Sequence, residues 1–301
     1  MTQAHAHGAV PAGPPPCPGP DRHPRRPAFP MPPGACDCHA HVFGPQAQYP
    51  FSPERNYTPE DCTLEQYSAL LDTLGIDRAV IVQGGAHGTD NRVTLDAIAR
   101  LGLHRARGVA VIRPGLDEAA LQTLHDGGMR GCRMSTVVRG GAGFEHLEAL
   151  SAQTRPLGWH LVLHLKRSEE LVELAPRLKR LQQPFIVDHL GHVLGSEGVD
   201  SPGFRALLGL LDTDRCWVKL ASLYRSSSLP HPYEDMLPLI HAVAARRPDR
   251  LLWGTNWPHP INPVAMPNDG DLVDLIPLWL PDADVRRQML VDNPARLYGF
   301  H

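Results

Sequence analysis

No apolar run in this 301-residue chain approaches the roughly 20 residues that a membrane-spanning helix needs. The first residues carry no apolar core of the kind a secretory signal has. Charge of one sign is missing too. The 29 Lys and Arg against 32 Asp and Glu leave a formal −3, so no basic field is available for nucleic acid. Disulfide and zinc spacings are absent. The six cysteines (Cys17, Cys36, Cys38, Cys62, Cys132 and Cys216) are scattered, and the Cys36–Cys38 pair has no second pair to complete a tetrahedral site. They read as reduced, buried thiols of a cytoplasmic protein. No G-x-G-x-x-G and no G-x-x-x-x-G-K-[ST] follows an apolar run, which removes the phosphate loops of nucleotide-binding sheets.

Proline is plentiful and uneven. Residues 1–34 hold 11 of the 31 prolines and show no apolar periodicity. This predicts a disordered, solvated leader carrying His5, His7, Arg22, Arg25 and Arg26. Residues 35–301 read as one domain. Eight short apolar runs recur there: Ala35–Val42, Ala79–Gly84, Gly108–Ile112, Gly131–Val137, His160–Leu165, Phe185–Leu190, Cys216–Ala221 and Arg250–Gly254. Most are continuously apolar, as strands covered on both faces are. Amphipathic stretches lie between them, such as Leu64/Tyr67/Leu70/Leu71/Leu74 and Leu171/Leu174/Leu178/Leu181. Eight strands alternating with helices predict an α/β fold, the (β/α)8 TIM barrel. A doubly wound open sheet is the alternative.

In a barrel, chemistry sits at the C-terminal ends of the strands. Strand 1 ends in His39 and His41. Gln83 ends strand 2 and His87 follows it. Strand 4 offers Arg133, with Arg139 after it. His164 ends strand 5; His189 and His192 follow strand 6. Tyr224 and Arg225 follow strand 7, and Asn256 and His259 follow strand 8. One strand-end histidine is ordinarily a hydrogen-bonded structural residue. So many polar groups at one rim carry a desolvation cost that points to a site. Two chemistries fit. One is metal-assisted hydrolysis, with a divalent ion such as Zn2+ on His39, His41 and His189. The other needs no obligatory metal: arginines hold an anionic substrate and histidines polarise its carbonyl.

These residues carry a resemblance. Asp37-x-His39-x-His41, the later histidines and Trp253-Gly-Thr-Asn-Trp-Pro-His259 resemble the amidohydrolase-related superfamily. Within it, His39–Pro45, Ser52–Pro59, Val82–Arg92, Val187-Asp188-His189 with Gly191, and Leu290–Pro294 look like the 2-pyrone-4,6-dicarboxylate lactonase group. The resemblance implies ring opening of a carboxylated lactone without an obligatory metal. His39, His41 and His189 would polarise the carbonyl, and Arg133, Arg139 and Arg225 would bind carboxylates. Gln83, His87, His164, His192 and Tyr224 would complete the substrate site. Those lactonases have an aspartate base where this chain has Asn256, a tyrosine near His164 and an arginine near His192. The stretch Tyr224-x-Ser-Ser227, with Asn256, instead resembles galactarolactone isomerase, although that group lacks the first histidine kept here.

A carboxamide has no useful basicity near neutral pH, but it can orient a hydroxyl. Three readings follow: a lactone hydrolase whose base is His259, His87 or His164; a lactone isomerase, in which the substrate's own hydroxyl attacks; or a catalytically silent barrel that binds an anion. The expected partner is a small anionic lactone, with neither nucleic acid nor membrane; a homo-oligomer is left open.

Overall fold

Each of the eight apolar runs becomes a strand in the computed structural model, which describes residues 13–300. The strands are β1 (Cys36–Ala40), β2 (Arg78–Val82), β3 (Ala106–Ala110), β4 (Met129–Ser135), β5 (His160–His164), β6 (Phe185–Val187), β7 (Cys216–Leu220) and β8 (Leu251–Trp253). They pair in chain order, and every pairing is parallel. Beyond the strand ends, Asn256 N donates to His39 O at 2.7 Å and His41 N to Trp257 O at 2.8 Å, bringing β8 against β1. The result is a nearly closed (β/α)8 barrel.

Helices α1 (Leu64–Leu74), α2 (Arg92–Leu101), α3 (Glu118–Asp126), α4 (Leu147–Thr154), α5 (Glu170–Leu178), α6 (Pro202–Leu211) and α7 (Leu237–Arg246) each follow the strand of the same number. The turn α8 (Asp269–Asp274) comes after β8. The stripe that predicts α1 is the face it buries: Leu64, Tyr67, Leu70, Leu71 and Leu74. Each such side chain contributes about 1.5–3 kcal/mol on leaving water. Among the described residues, no helix is long and apolar enough to cross a membrane. All six cysteines are buried and free.

Two apolar layers result. One fills the space between strands and helices. The other lines the barrel interior with Val80, Val82, Val109, Val162, Ile186 and Leu252, against which Tyr298 and Phe300 pack.

The leader needs a correction. Residues 1–12, with His5 and His7, lie outside the described residues. Residues 13–34 are not a solvated tail but an extended segment held against the barrel. Cys17 N donates to Thr58 O and Thr58 N to Pro15 O, both at 2.8 Å. Arg22 pairs with Glu60, and Arg25 with both Asp271 and Asp274. Extended backbone pairing and ion pairs leave no apolar period in the sequence, so periodicity could not reveal them.

Candidate active site

A bulge places the first histidine. The β1–β2 register shifts between Asp37 and Ala40. Asp37 therefore faces α1 and the end of β8, accepting Tyr67 OH at 2.9 Å, Thr255 Oγ1 at 2.7 Å and the Thr255 and His39 amides at 3.0 Å each. His39, two residues on, turns into the barrel. Gly254 permits this closure, because a Cβ there would lie 2.6 Å from the His39 Cβ.

Five imidazoles then form a continuous cage. Ring centroids are 5.0 Å apart for His39–His41, 4.7 Å for His39–His189, 5.4 Å for His164–His189, 5.3 Å for His189–His192 and 5.5 Å for His164–His192. The turn after β6 that carries two of them is left-handed, with φ of 53°, 52°, 68° and 53° at His189, Leu190, Gly191 and His192. Ser222, Asn256, His259 and Ile261 are also left-handed. Such a conformation costs roughly 1–3 kcal/mol at a non-glycine residue and persists only where surrounding contacts impose it. It is concentrated here in the loops after β6, β7 and β8, at the cage.

Beneath the cage lies a charge cluster whose centre sequence reasoning missed. Lys219, on β7, places Nζ 2.9 Å from Asp188 Oδ1 and 3.1 Å from His39 Nδ1. Arg133 Nε, from β4, is 3.4 Å from Asp188 Oδ2. Lysine and aspartate are both fully buried. Burial acts to raise the Asp188 carboxyl, but Lys219, His39 and Arg133 together hold it well below the usual carboxylate range. A lysine inside the apolar Cys216-Trp-Val-Lys-Leu run was the available signal.

Hydrogen-bond partners fix where the imidazole protons sit. His41 Nδ1 is 2.8 Å from Val82 O and His189 Nδ1 is 3.2 Å from Ala221 O. A carbonyl only accepts, so both Nδ1 atoms carry protons and both Nε2 atoms are lone pairs. Ser135 Oγ accepts the Val137 and Val138 amides, each at 3.0 Å. Its own proton therefore goes to His164 Nδ1, also at 3.0 Å, and His164 Nε2 is an N–H. His39 Nδ1 lies 3.1 Å from Lys219 Nζ, which only donates, and 3.5 Å from Asp188 Oδ1, which only accepts; the nearer ammonium favours a lone pair at Nδ1 and an N–H at Nε2. His39 Nε2, His164 Nε2 and Arg133 Nε are buried without a hydrogen-bond partner. Orphaned donors of this kind need an explanation, and a ligand oxygen is the simplest one.

A second network lies beside the cage. Asn256 Nδ2 donates to Tyr224 Oη at 3.2 Å. Tyr224 Oη is 2.8 Å from His259 Nδ1, and His259 Nε2 is 3.2 Å from Asp269 Oδ1. All four side chains are buried. Asp269 had no signal in the sequence. Arg225, mostly buried, donates to Ile261 O at 3.3 Å.

Three expected ligands are not brought to the cage. Gln83 spends its amide on Asp90 O at 2.8 Å and Gly88 O at 3.3 Å, and its oxygen on Thr94. It shapes the loop after β2. His87 stacks on Phe43 and packs against Phe51, behind the cage wall. Arg139 has an exposed side chain; only its backbone amide is engaged, with Asn56. A cavity of about 610 Å3 between α2 and α3, lined by residues such as Leu95 and Leu124, contains none of the cage histidines.

Burial lowers every cage imidazole. His39 falls to about 3 and His192 to about 4, while His41, His164 and His189 fall well below the ordinary 6.5. His160, beneath them, falls to about 3 for the same reason. Between about pH 6.5 and 4 the unfolded chain binds more protons than the folded one, so stability must fall as pH falls. The slope is about 1.4 kcal/mol per pH unit for each such proton. Burial raises Asp37 to about 6, which acts in the opposite direction and offsets only one imidazole. Melting of chelator-treated protein should therefore drop steeply from pH 7 to 4.5; a flat profile would contradict the neutral cage.

Two groups have donor atoms within 4.8 Å of one another: His164, His189 and His192, and His39, Asp188 and His189. The family model described as Amidohydrolase matches residues 36–300. A 4-sulfomuconolactone hydrolase of Rhizobium radiobacter is 40% identical over 96% of this chain and 97% of its own. A 2-pyrone-4,6-dicarboxylate hydrolase of Comamonas testosteroni is also 40% identical, over 92% and 93%. A D-galactarolactone isomerase of Agrobacterium fabrum is 34% identical, over 90% and 92%.

Proposed function

The chain belongs to the amidohydrolase family, and within it we propose hydrolytic ring opening of a lactone that bears a carboxylate or sulfonate group. The relatives at 40% identity act on lactones by hydrolysis, and both names describe anionic substrates. The observation that carries the reading is the set of orphaned donors. The N–H groups of His39 and His164 suit a carbonyl oxygen that gains charge as water attacks. Arg133 and Arg225 suit the anionic substituent.

The charge of this cluster suits an anion better than a divalent ion. His41 Nε2 and His189 Nε2 are lone pairs, and neutral His192 can offer another. Recruiting His164 would require Ser135 Oγ to accept a third N–H. Asp188 is already committed to Lys219 and Arg133. The cluster holds more cationic than anionic side chains, so an anion relieves its charge and a dication adds to it. On this charge balance we read the site as working on its own side chains.

Isomerisation is the second reading, since Asn256 replaces the carboxylate expected of a hydrolase and one relative is an isomerase. Purified protein should be offered 2-pyrone-4,6-dicarboxylate, 4-sulfomuconolactone and D-galactarolactone, with a pH indicator and NMR. Expected is a ring-opened acid with net proton release. A changed ring size without proton release would replace hydrolysis by isomerisation. Inertness toward all three would leave an anion-binding barrel.

A further inference from the structure

Ring opening by water needs a proton acceptor, and the cage is poor in them. Burial holds His41 and His189 well below their ordinary range, which makes weak bases of their lone pairs. The Asn256 amide is not basic. We propose that Tyr224 takes the proton of the attacking water and passes its own to His259, with Asp269 holding the imidazolium that forms. The proposal rests on the lactone-hydrolase reading and supplies the base that reading lacks.

The direction of each hydrogen bond is set by its partners. A carboxylate only accepts, so His259 Nε2 carries the proton that faces Asp269. His259 Nδ1 is then a lone pair, and Tyr224 O–H donates to it across 2.8 Å. The phenol oxygen accepts Asn256 Nδ2–H at 3.2 Å and a hydrogen bond from Ser222, so the Ser222 hydroxyl must turn away to free a lone pair for a water proton. The order Asp269, His259, Tyr224 follows the logic of an acid–histidine–hydroxyl triad, with the hydroxyl relaying a proton instead of attacking.

The relay adjoins the cage and has an outer side. Ser222 lies beside Tyr224 and places Oγ 3.2 Å from His189 Nδ1. Asn256 also donates its backbone N–H to His39 O. Tyr224 further lines a cavity of about 490 Å3 between residues 227–233 and 264–272. Burial pushes the phenol above its ordinary range, so it does not rest as phenolate. The relay never requires that, because one proton arrives as another departs.

In the first step the water oxygen bonds to the lactone carbonyl carbon. The water proton moves to Tyr224 Oη, the Tyr224 proton moves to His259 Nδ1, and the carbonyl π pair moves onto the oxygen faced by His39 and His164. In the second step the carbonyl re-forms and the ring C–O bond breaks. The departing oxygen takes a proton from Tyr224, which recovers one from His259. Lactone and water become a hydroxy acid, whose carboxyl then ionises, and the enzyme is unchanged. Asn256 gains a role here. An amide can only steady the phenol oxygen, whereas a carboxylate would compete with His259 for the phenol proton. Its φ of 66° is one that asparagine adopts readily.

The test uses the full chain, Tyr224→Phe and Asp269→Asn, with 15N NMR of His259. Tyr224→Phe should lower kcat by about 10²–10⁴-fold with KM and affinity for the ring-opened product nearly kept. Asp269→Asn should lower kcat similarly and move the His259 proton from Nε2 to Nδ1, a change that a merely structural role would not produce. Full kcat in Tyr224→Phe, or a His259 Nδ1–H tautomer in active wild-type protein, overturns the relay alone. Wild-type protein inert toward every lactone overturns the hydrolase reading and the relay with it.

Discussion

Replacing Lys219 with Met should destabilise the fold by about 3–5 kcal/mol, the usual cost of removing one partner of a buried ion pair. Lys219 and Asp188 are fully buried and 2.9 Å apart. Without the ammonium, Asp188 keeps only Arg133 at 3.4 Å and the His39 ring at 3.5 Å. Neither replaces a direct ammonium contact, so a carboxylate is left poorly compensated in a medium that penalises it. Combining Lys219→Met with Asp188→Asn removes both charges and should restore much of the loss. Urea unfolding of the four proteins measures the coupling directly. A double mutant as unstable as the sum of the two single mutants would show that the two side chains do not act as a pair. His39 should report the change too, since its Nδ1 no longer faces an ammonium and its proton is free to change nitrogen.

Arg133→Met should reduce kcat/KM for a dicarboxylated lactone by roughly 10²–10³-fold, in line with about 2–4 kcal/mol for truncating a buried charge-assisted contact. Arg133 is buried, and its Nε faces Asp188 at 3.4 Å. Its two terminal nitrogens would grip a substrate carboxylate in forked geometry. A lactone without the second anionic group should lose far less, because Arg133 has nothing to grip on it. The informative quantity is the ratio of the two losses. Equal losses would mean that Arg133 acts only through Asp188 and does not touch substrate. Methionine is chosen because it keeps most of the side-chain volume and limits repacking.

The barrel was legible because its strands are covered on both faces and read as unbroken apolar runs; all eight lie where the runs fall. The cage was legible for a related reason. Histidines at strand ends stand out against apolar neighbours, and His39, His41, His164, His189 and His192 do converge. What escaped notice depends on side-chain partners rather than on pattern. Lys219 was one polar residue within an apolar strand, and Asp188 was seen only as the neighbour of His189. Asp269 meets His259 only after the intervening loop folds back. Gln83 and His87 were placed near the right rim, but hydrogen bonding and aromatic packing engage them elsewhere. Tyr224 was expected to touch substrate; its bonds to Asn256 and His259 are the basis of the proton relay proposed for it.

Asn256 is where the hydrolase and isomerase readings divide, and the structure gives that residue a specific partner. An amide that holds a tyrosine already bonded to a histidine–aspartate pair does not leave the site without a base. In the proposed relay the base is Tyr224, in the loop after β7. Hydrolysis then stays available to a chain with an amide at position 256.

The most direct test is turnover of 2-pyrone-4,6-dicarboxylate or 4-sulfomuconolactone in water enriched in oxygen-18, with the product read by mass spectrometry. Hydrolysis through a water activated at this site requires one heavy oxygen in the new carboxylate of the ring-opened acid. A product of unchanged mass, with the ring merely redrawn and no solvent oxygen incorporated, would contradict it.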